Sequence, residues 1–440
     1  MKKIYALLLT LILHSSFFIL HSGAQDKIIL LNEGNWQADN GKMTYFEDGK
    51  VVSNQWFRDN NGTKLGDTPN DIIQINDNLI AVAINWSNII QFITPQGKAV
   101  AATEEVPNNR KLCSDGEYVY VSSYGHECNS TKGMLYFTKG FVAKIRLTDY
   151  KVVDAVEVGY EPEGIALWGG YIFVANTGGY SFQEGHDYET TVSIVNPETM
   201  QVVRTIDTGH VNLYGDMSQA GKYLCINSTG DYYSTEACSI IFDCERAISG
   251  SDCCVVLPYA ATYSTATRDG KFLAIGSKFS YYTGQYEYNY ITIDPALVMQ
   301  SLGSSGVDED LPGTMRDDIQ NTIAMPYGIY VNPYTGYMYA TDAASNASAG
   351  VMYQWNASGQ LLGKYKTYIN PSHIIALPPD GHYTAIREVN IDDNANANAN
   401  DNTNANANAN ANNAYKIAGQ RVSRSAKGII ILNGKKHINP

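Results

Sequence analysis

From Pro69 onward the chain runs through one arrangement of apolar and polar positions seven times. Each copy opens on Pro or a polar turn, passes a short apolar run, an Asp/Gly/Asn turn and a longer apolar run, and ends in a Ser/Thr/Asn/Gly/Tyr loop. The copies start at Pro69, Pro107, Pro162, Val211, Thr262, Met325 and Pro371, spaced 38, 55, 49, 51, 63 and 46 residues apart. That period is the length of a four-stranded blade, so the pattern predicts a radial array of small sheets.

Two further strand-like stretches follow each copy. They are clearest in the third, where residues 191–195 (TVSIV) turn through Asn196-Pro197-Glu198-Thr199 into 201–206 (QVVRTI), which makes four strands in a meander. The second strand of a unit, such as 171–175 (YIFVA), is apolar at successive positions instead of alternating. That is the mark of a strand covered on both faces by neighbouring sheets. Residues 27–31, 41–46 and 50–56 read as strands ahead of the first full copy, whereas the last copy ends after a short strand pair. The N-terminal strands should therefore complete the seventh blade and remove open sheet edges. The expected fold is all-β, a seven-bladed β-propeller of four-stranded antiparallel blades over residues 25–389. Six or eight blades stay open as alternative counts, and 301–320 reads as an excursion loop.

The two ends differ from this body. Met1-Lys2-Lys3, an apolar run from Ile4 to Leu13, a second from Phe17 to Leu20 and small residues at Ser22-Gly23-Ala24 have the order of a secretory signal peptide, with cleavage expected after Ala24. No Cys lies near that point to carry a lipid. Residues 390–414 alternate Asn and Ala with almost no large apolar side chain, a linker composition that buries too little surface to offset its ordering entropy. Residues 415–440 read as two short strands around a Ser/Arg turn.

The chain carries 31 Lys and Arg against 44 Asp and Glu, a net charge of −13, and the tail from Tyr415 contains six of the basic residues and no acid. The body is thus more acidic than the whole, and a duplex-binding cationic surface is missing, which excludes nucleic acid as a partner. Charged residues make up 17% while tyrosines number 32, a balance that favours strands displaying aromatic rings. Seven cysteines stand at 113, 128, 225, 238, 244, 253 and 254. Cys244 and the Cys253-Cys254 pair flank one turn, where a cross-strand bridge would fit. Cys225 and Cys238 read as buried thiols in adjacent strands, and no CxxC pair suggests zinc or redox chemistry.

Two resemblances add to this reading. Gly419-Gln420-Arg421-Val422, Lys427-Gly428-Ile429 and Asn433-Gly434-Lys435-Lys436 resemble the end of the type A C-terminal sorting domain of the type IX secretion system, which implies display at the cell surface or release. Leu31-Asn32-Glu33-Gly34-Asn35-Trp36, 64–71 (KLGDTPND), the Pro-x-Gly-Ile forms at Pro162 and Pro326 and the Ala-Asn-Thr-Gly loop at 175–178 resemble secreted YncE-like seven-bladed propellers. Within that group the chain is similar to surface propellers that include vitamin B12-capturing proteins working beside TonB-dependent corrinoid transporters. The resemblance implies a small-molecule ligand and a transporter partner at the outer membrane.

In a four-stranded meander the loop after the second strand and the segment leading into the next inner strand emerge on one face. That face should carry Trp36, Trp86, Tyr124, His126, Asn176, Tyr180, Tyr232, Tyr233, Tyr281 and Tyr282, with Tyr327 and His373 where inner strands begin. Aromatic faces with Asn and Tyr donors suit a large, flat, mostly neutral ligand such as a corrinoid or a sugar ring. No nucleophile elbow, HExxH or phosphate-cradling loop is present, and the histidines are scattered singly. The expectation is a binding protein without catalytic residues, metal or cofactor; a glycan binder and a propeller lyase or lactonase are the alternatives.

Overall fold

A computed structural model describes residues 26–125, 139–181, 185–280 and 284–379, with Gly381 and Tyr383, and the backbone of short strands between 414 and 439. The segment read as signal peptide (1–24) and the linker read at 390–414, apart from Ala414, lie outside the described residues. The tail contains Ala414–Lys416, Arg421–Val422, Gly428–Leu432 and Lys435–Asn439, four antiparallel strands where two were expected.

The body is a seven-bladed β-propeller. Blade 1 runs outward as Pro69–Asn76, Leu79–Ile84, Ile89–Ile93 and Ala99–Ala102, and five more blades repeat that order from inner strands Asn109–Ser114, Pro162–Trp168, Met217–Ala220, Tyr263–Ala266 and Pro326–Val331. The first six sequence copies thus coincide with inner and second strands, and the seventh supplies an inner strand. Blade 7 is composite: its inner strand is Pro371–Leu377 and its other three are Lys27–Asn32, Lys42–Glu47 and Lys50–Ser53. Lys27 pairs with Leu377 and Asn32 with Pro371, so the chain ends close the ring by antiparallel pairing as the strand pattern predicted.

The unbroken apolar second strands explain where the core sits. All six residues of Leu79–Ile84 and of Tyr223–Ser228 are buried. The buried side chains form seven clusters, each shared by two adjacent blades. Each buried Ile, Leu, Val or Phe removes enough apolar surface to contribute about 1.5–3 kcal/mol, so blade-on-blade burial is the main stabilising interaction. One steric device recurs between blades. Gly41, Gly140 and Gly350 lie where an added Cβ would overlap the rings of Pro69, Pro162 and Pro371, the prolines that open the next inner strands.

The N-terminus is latched as well as paired. Asp26 accepts hydrogen bonds from Asn332 Nδ2 at 2.5 Å, Gln354 Nε2 at 2.7 Å and the Tyr339 hydroxyl, all on blade 6. Burial nevertheless pushes its carboxyl above the usual carboxylate range, outweighing those three donors.

The expected excursion loop is structured. Pro295–Ser301 is a helix capped by Asp294, whose Oδ1 accepts from the Ala296 and Leu297 amides at 3.1 Å. Val307–Asp308 forms the short outer strand of blade 5, and Met315–Thr322 is a second helix whose Met315 and Ile319 enter the blade 5–6 cluster. Its polar composition hid two buried apolar residues spaced four apart.

Candidate functional site

Strand register fixes which loops share a face. Pro69 pairs with Ile84, Pro162 with Asn176 and Pro326 with Asp342. Inner strands therefore begin where second strands end, and both sets of connections emerge together. The expected residues on this face fall into separate groups.

Trp36, 63% exposed, meets Trp86 edge to face at 4.9 Å between ring centroids, bridging blades 7 and 1. Tyr124 and Tyr180 form a second such pair at 5.7 Å. Tyr124 is buried, however, and its hydroxyl donates to Glu163 while the Arg110 guanidinium lies 4.7 Å from its ring centre. It belongs to an ion-pair network between blades 2 and 3. Asn176 also departs from the rim reading. It is fully buried, accepts from the Gly159 amide at 3.1 Å, and donates to Thr191 Oγ1 at 2.9 Å and Ser193 Oγ at 3.0 Å. Its amide is consumed in joining strands of blade 3, which leaves it nothing to offer a ligand. His126, Tyr281 and Tyr282 lie outside the described residues.

Tyr232, Tyr233 and Tyr327 do come together. They line a cleft of about 490 Å³ over blades 4 to 6, with Tyr214, Tyr263, Tyr286, Tyr288 and Phe279. The outer wall is a long hairpin, Phe272–Ser280 paired with Gln285–Ile293, nine residues a strand against six in most second strands. Its extra length rises above the face. Along QYEYNY, residues 286, 288 and 290 point to one side by strand alternation; Tyr286 and Tyr288 line the cleft while Tyr290 enters the core. That period-two aromatic pattern is the signal the loop-centred reading passed over. Lys278 and Glu236 pair across the outer rim, and Asn346, Ser234 and Thr235 supply polar groups.

His373 stands lower, in the central channel, a cavity of about 300 Å³ lined also by Asp71, Lys111, Asp216, Ser264 and Ser372. Lys111 Nζ is 2.5 Å from His373 Nε2 and 3.7 Å from Asp216 Oδ1, which is 3.4 Å from His373 Nε2. Nε2 thus faces both a donor and an acceptor, and which of the two it bonds depends on the ring tautomer, while Nδ1 is buried without a partner. Although burial pushes the Asp216 carboxyl upward, the His373 hydrogen bond and the Lys111 charge prevail and hold it below the usual range.

None of these arrangements is an activated nucleophile. Cys238 Sγ lies 3.5 Å from His210 Nδ1, but burial raises its thiol, which keeps the sulfur protonated. Among the described residues no group of three or more His, Cys, Asp or Glu side chains is placed to hold a metal ion. What the face offers is ring area, hydroxyls and a walled cleft of the size that encloses a small organic ligand.

No protein-family model matches this chain, and no curated protein matches it. Solved structures do. The chain is similar to a Kuenenia stuttgartiensis hydrazine synthase structure at 16% identity, covering 71% of this chain and 90% of that one, with a TM-score of 0.50. It is similar to a quinonprotein alcohol dehydrogenase-like protein from Bacteroides thetaiotaomicron at 10% identity, covering 81% and 79%, also with a TM-score of 0.50. AztD from Citrobacter koseri aligns over 80% of this chain and 97% of its own at 10% identity, with a TM-score of 0.43. At these identities the likeness extends to the propeller fold alone, a scaffold that hosts many chemistries.

Proposed function

We propose that this chain is an exported binding protein that captures a large, flat-faced small molecule in the tyrosine-lined cleft of its loop face. The observation that carries this reading is the convergence of seven tyrosines from three blades on one cleft of about 490 Å³. Tyrosine presents a large rigid ring with a polar tip at low entropic cost, which suits a ligand with broad faces and scattered hydrogen-bonding groups. A cobalamin-type corrinoid is the first candidate, in keeping with the YncE-like sequence resemblance, and a surface glycan is the second. The leader at 1–24 and the sorting-signal-like tail at 415–440 support export, and a TonB-dependent outer-membrane transporter is the partner that corrinoid capture would serve.

Isothermal titration of the purified chain against cobalamin and a panel of glycans tests the proposal. Binding of one class, weakened at least tenfold by the Tyr232→Ala, Tyr288→Ala double variant, supports it. Unchanged affinity in that variant would move the site elsewhere, and turnover of a sugar or lactone would replace capture with catalysis.

A further inference from the structure

The inner end of the cleft is chemically distinct from its outer wall. Tyr214 precedes the inner strand of blade 4, Tyr263 opens that of blade 5, and Tyr327 is the second residue of that of blade 6. Glu33 follows the Lys27–Asn32 strand of blade 7, so four consecutive blades converge on this spot. The Tyr263 and Tyr327 rings lie 6.2 Å apart at a tilt of 39°, and the Tyr327 hydroxyl donates to Glu33 Oε2 at 2.8 Å. Burial first, and then nearby negative charge that includes Glu33, push all three phenols upward. Each ring therefore stays neutral with its π face intact.

Among the described residues no cation pairs with the carboxylate in this box. Arg110 is engaged by Glu163, Lys111 by His373 and Asp216, and Lys278 by Glu236. Glu33 itself forms no ion pair among the described residues, is half-buried, and is joined to the cleft lining through the Tyr327 hydroxyl. An anion would be repelled. A calcium or magnesium ion would need several further oxygen ligands, which one carboxylate and three phenols do not supply. A group that is cationic yet large and weakly hydrated satisfies both features, since it is drawn to ring faces and to a single negative charge.

We propose that the inner end of the cleft receives a cationic organic group, a quaternary or protonated amine, enclosed by Tyr214, Tyr263 and Tyr327 with Glu33 as its counter-charge. This rests on the reading of the cleft as a ligand site and adds the chemistry that one end of the ligand must present.

The test compares choline with 3,3-dimethylbutan-1-ol, a neutral molecule of nearly the same shape, by isothermal titration or NMR line-shape analysis on the whole chain. Choline should bind at least tenfold more tightly, and Glu33→Gln should erase most of that preference. Tyr263→Ala should weaken choline binding, whereas Tyr327→Phe, which keeps the ring, should retain most of it. The Glu33 amide bonds to the Asn370 carbonyl at 2.9 Å irrespective of its side chain, and thermal unfolding of each variant verifies folding. Equal binding of the two probes, a preference that survives Glu33→Gln, or binding of neither would overturn the inference. Titration of cobalamin and the glycan panel on the same preparation separates the two ideas: their capture without any choline preference leaves the cleft a ligand site and removes only its cationic end.

Discussion

Arg110 on blade 2 and Glu163 on blade 3 form a two-pronged ion pair, with Nε to Oε2 at 2.8 Å and Nη2 to Oε1 at 3.0 Å. The Glu163 side chain is 3% exposed, and the Tyr124 hydroxyl donates to the same carboxylate. Removing one partner of such a pair leaves a buried charge without compensation. Glu163→Ala should therefore destabilise the propeller by about 3–5 kcal/mol, measured by urea unfolding. A variant within 1 kcal/mol of the parent, by the same order-of-magnitude reasoning, would show that water takes over the role of Glu163.

Acid should act through the same groups. Burial opposes ionisation of Glu163, yet the Arg110 charge and hydrogen bonds prevail and hold its carboxyl below the ordinary range; Asp216 is held low beside His373 and Lys111. A depressed folded-state value means the stabilisation is complete above the ordinary carboxylate range and is lost as pH falls through it. Asp26 has the opposite sign: its raised value makes its ionised form unfavourable in the fold, so its contribution is greater at low pH and declines as pH rises. Thermal melts should show a net loss of stability as pH falls from about 5 towards 3, smaller in Glu163→Gln than in the parent. An identical slope in both would remove Glu163 from the explanation.

The glycine and proline contacts between blades set a steric test. A methyl group at residue 140 would overlap the Pro162 ring, and one at 350 the Pro371 ring. Gly140→Ala or Gly350→Ala should cost about 1–3 kcal/mol by forcing a blade to shift. Gly116→Ala meets no heavy atom within 4 Å but has a φ of 90°, so it reports backbone strain without collision and serves as a comparison. Cooperative unfolding curves for the three variants give the ranking.

Cysteine reactivity should divide the described thiols. Cys225, Cys238, Cys244, Cys253 and Cys254 form no disulfide among the described residues; burial pushes Cys225 up to about 12, and it raises Cys244 and Cys238 too. Cys253 differs, because its contact with Cys254, Sγ to Sγ at 3.7 Å, favours its thiolate over the opposing effect of burial. The same contact raises the Cys254 thiol, so iodoacetamide at mildly alkaline pH should mark Cys253 first and reach Cys225 and Cys244 only after denaturation. Peptide mass spectrometry against time reads this, and early labelling of Cys225 would contradict it.

How far the residues alone could lead differs between scaffold and site. Blade number, the outward strand order and the composite seventh blade were legible because each rests on local periodicity: Pro or a polar turn, then an unbroken apolar run such as Leu79–Ile84. The loop face followed from the meander. The roles of individual residues did not, because they depend on partners far away in sequence. Tyr124 reads as a displayed ring until Glu163 and Arg110 are seen to claim it, and Asn176 as a loop amide until Thr191 and Ser193 absorb it. His373 turned out to lie in the channel beside Lys111, a contact across 262 positions. Tyr286 and Tyr288 were detectable in principle from the alternation at 285–290, but attention to loops missed an elongated strand pair.

The pairing of Lys27–Asn32 with Pro371–Leu377 has a consequence for biogenesis. Until the ribosome has delivered residue 377, the three leading strands of blade 7 lack their axial neighbour, and the carboxylate of Asp26 waits for donors at 332, 339 and 354. Circularisation hence waits for the Pro371–Leu377 strand, and a nascent or truncated product without it would expose the Lys27–Asn32 edge to any complementary strand it encountered. Loss of the segment after Lys366 would therefore leave an unclosed, self-associating solenoid in place of a slightly shorter ring.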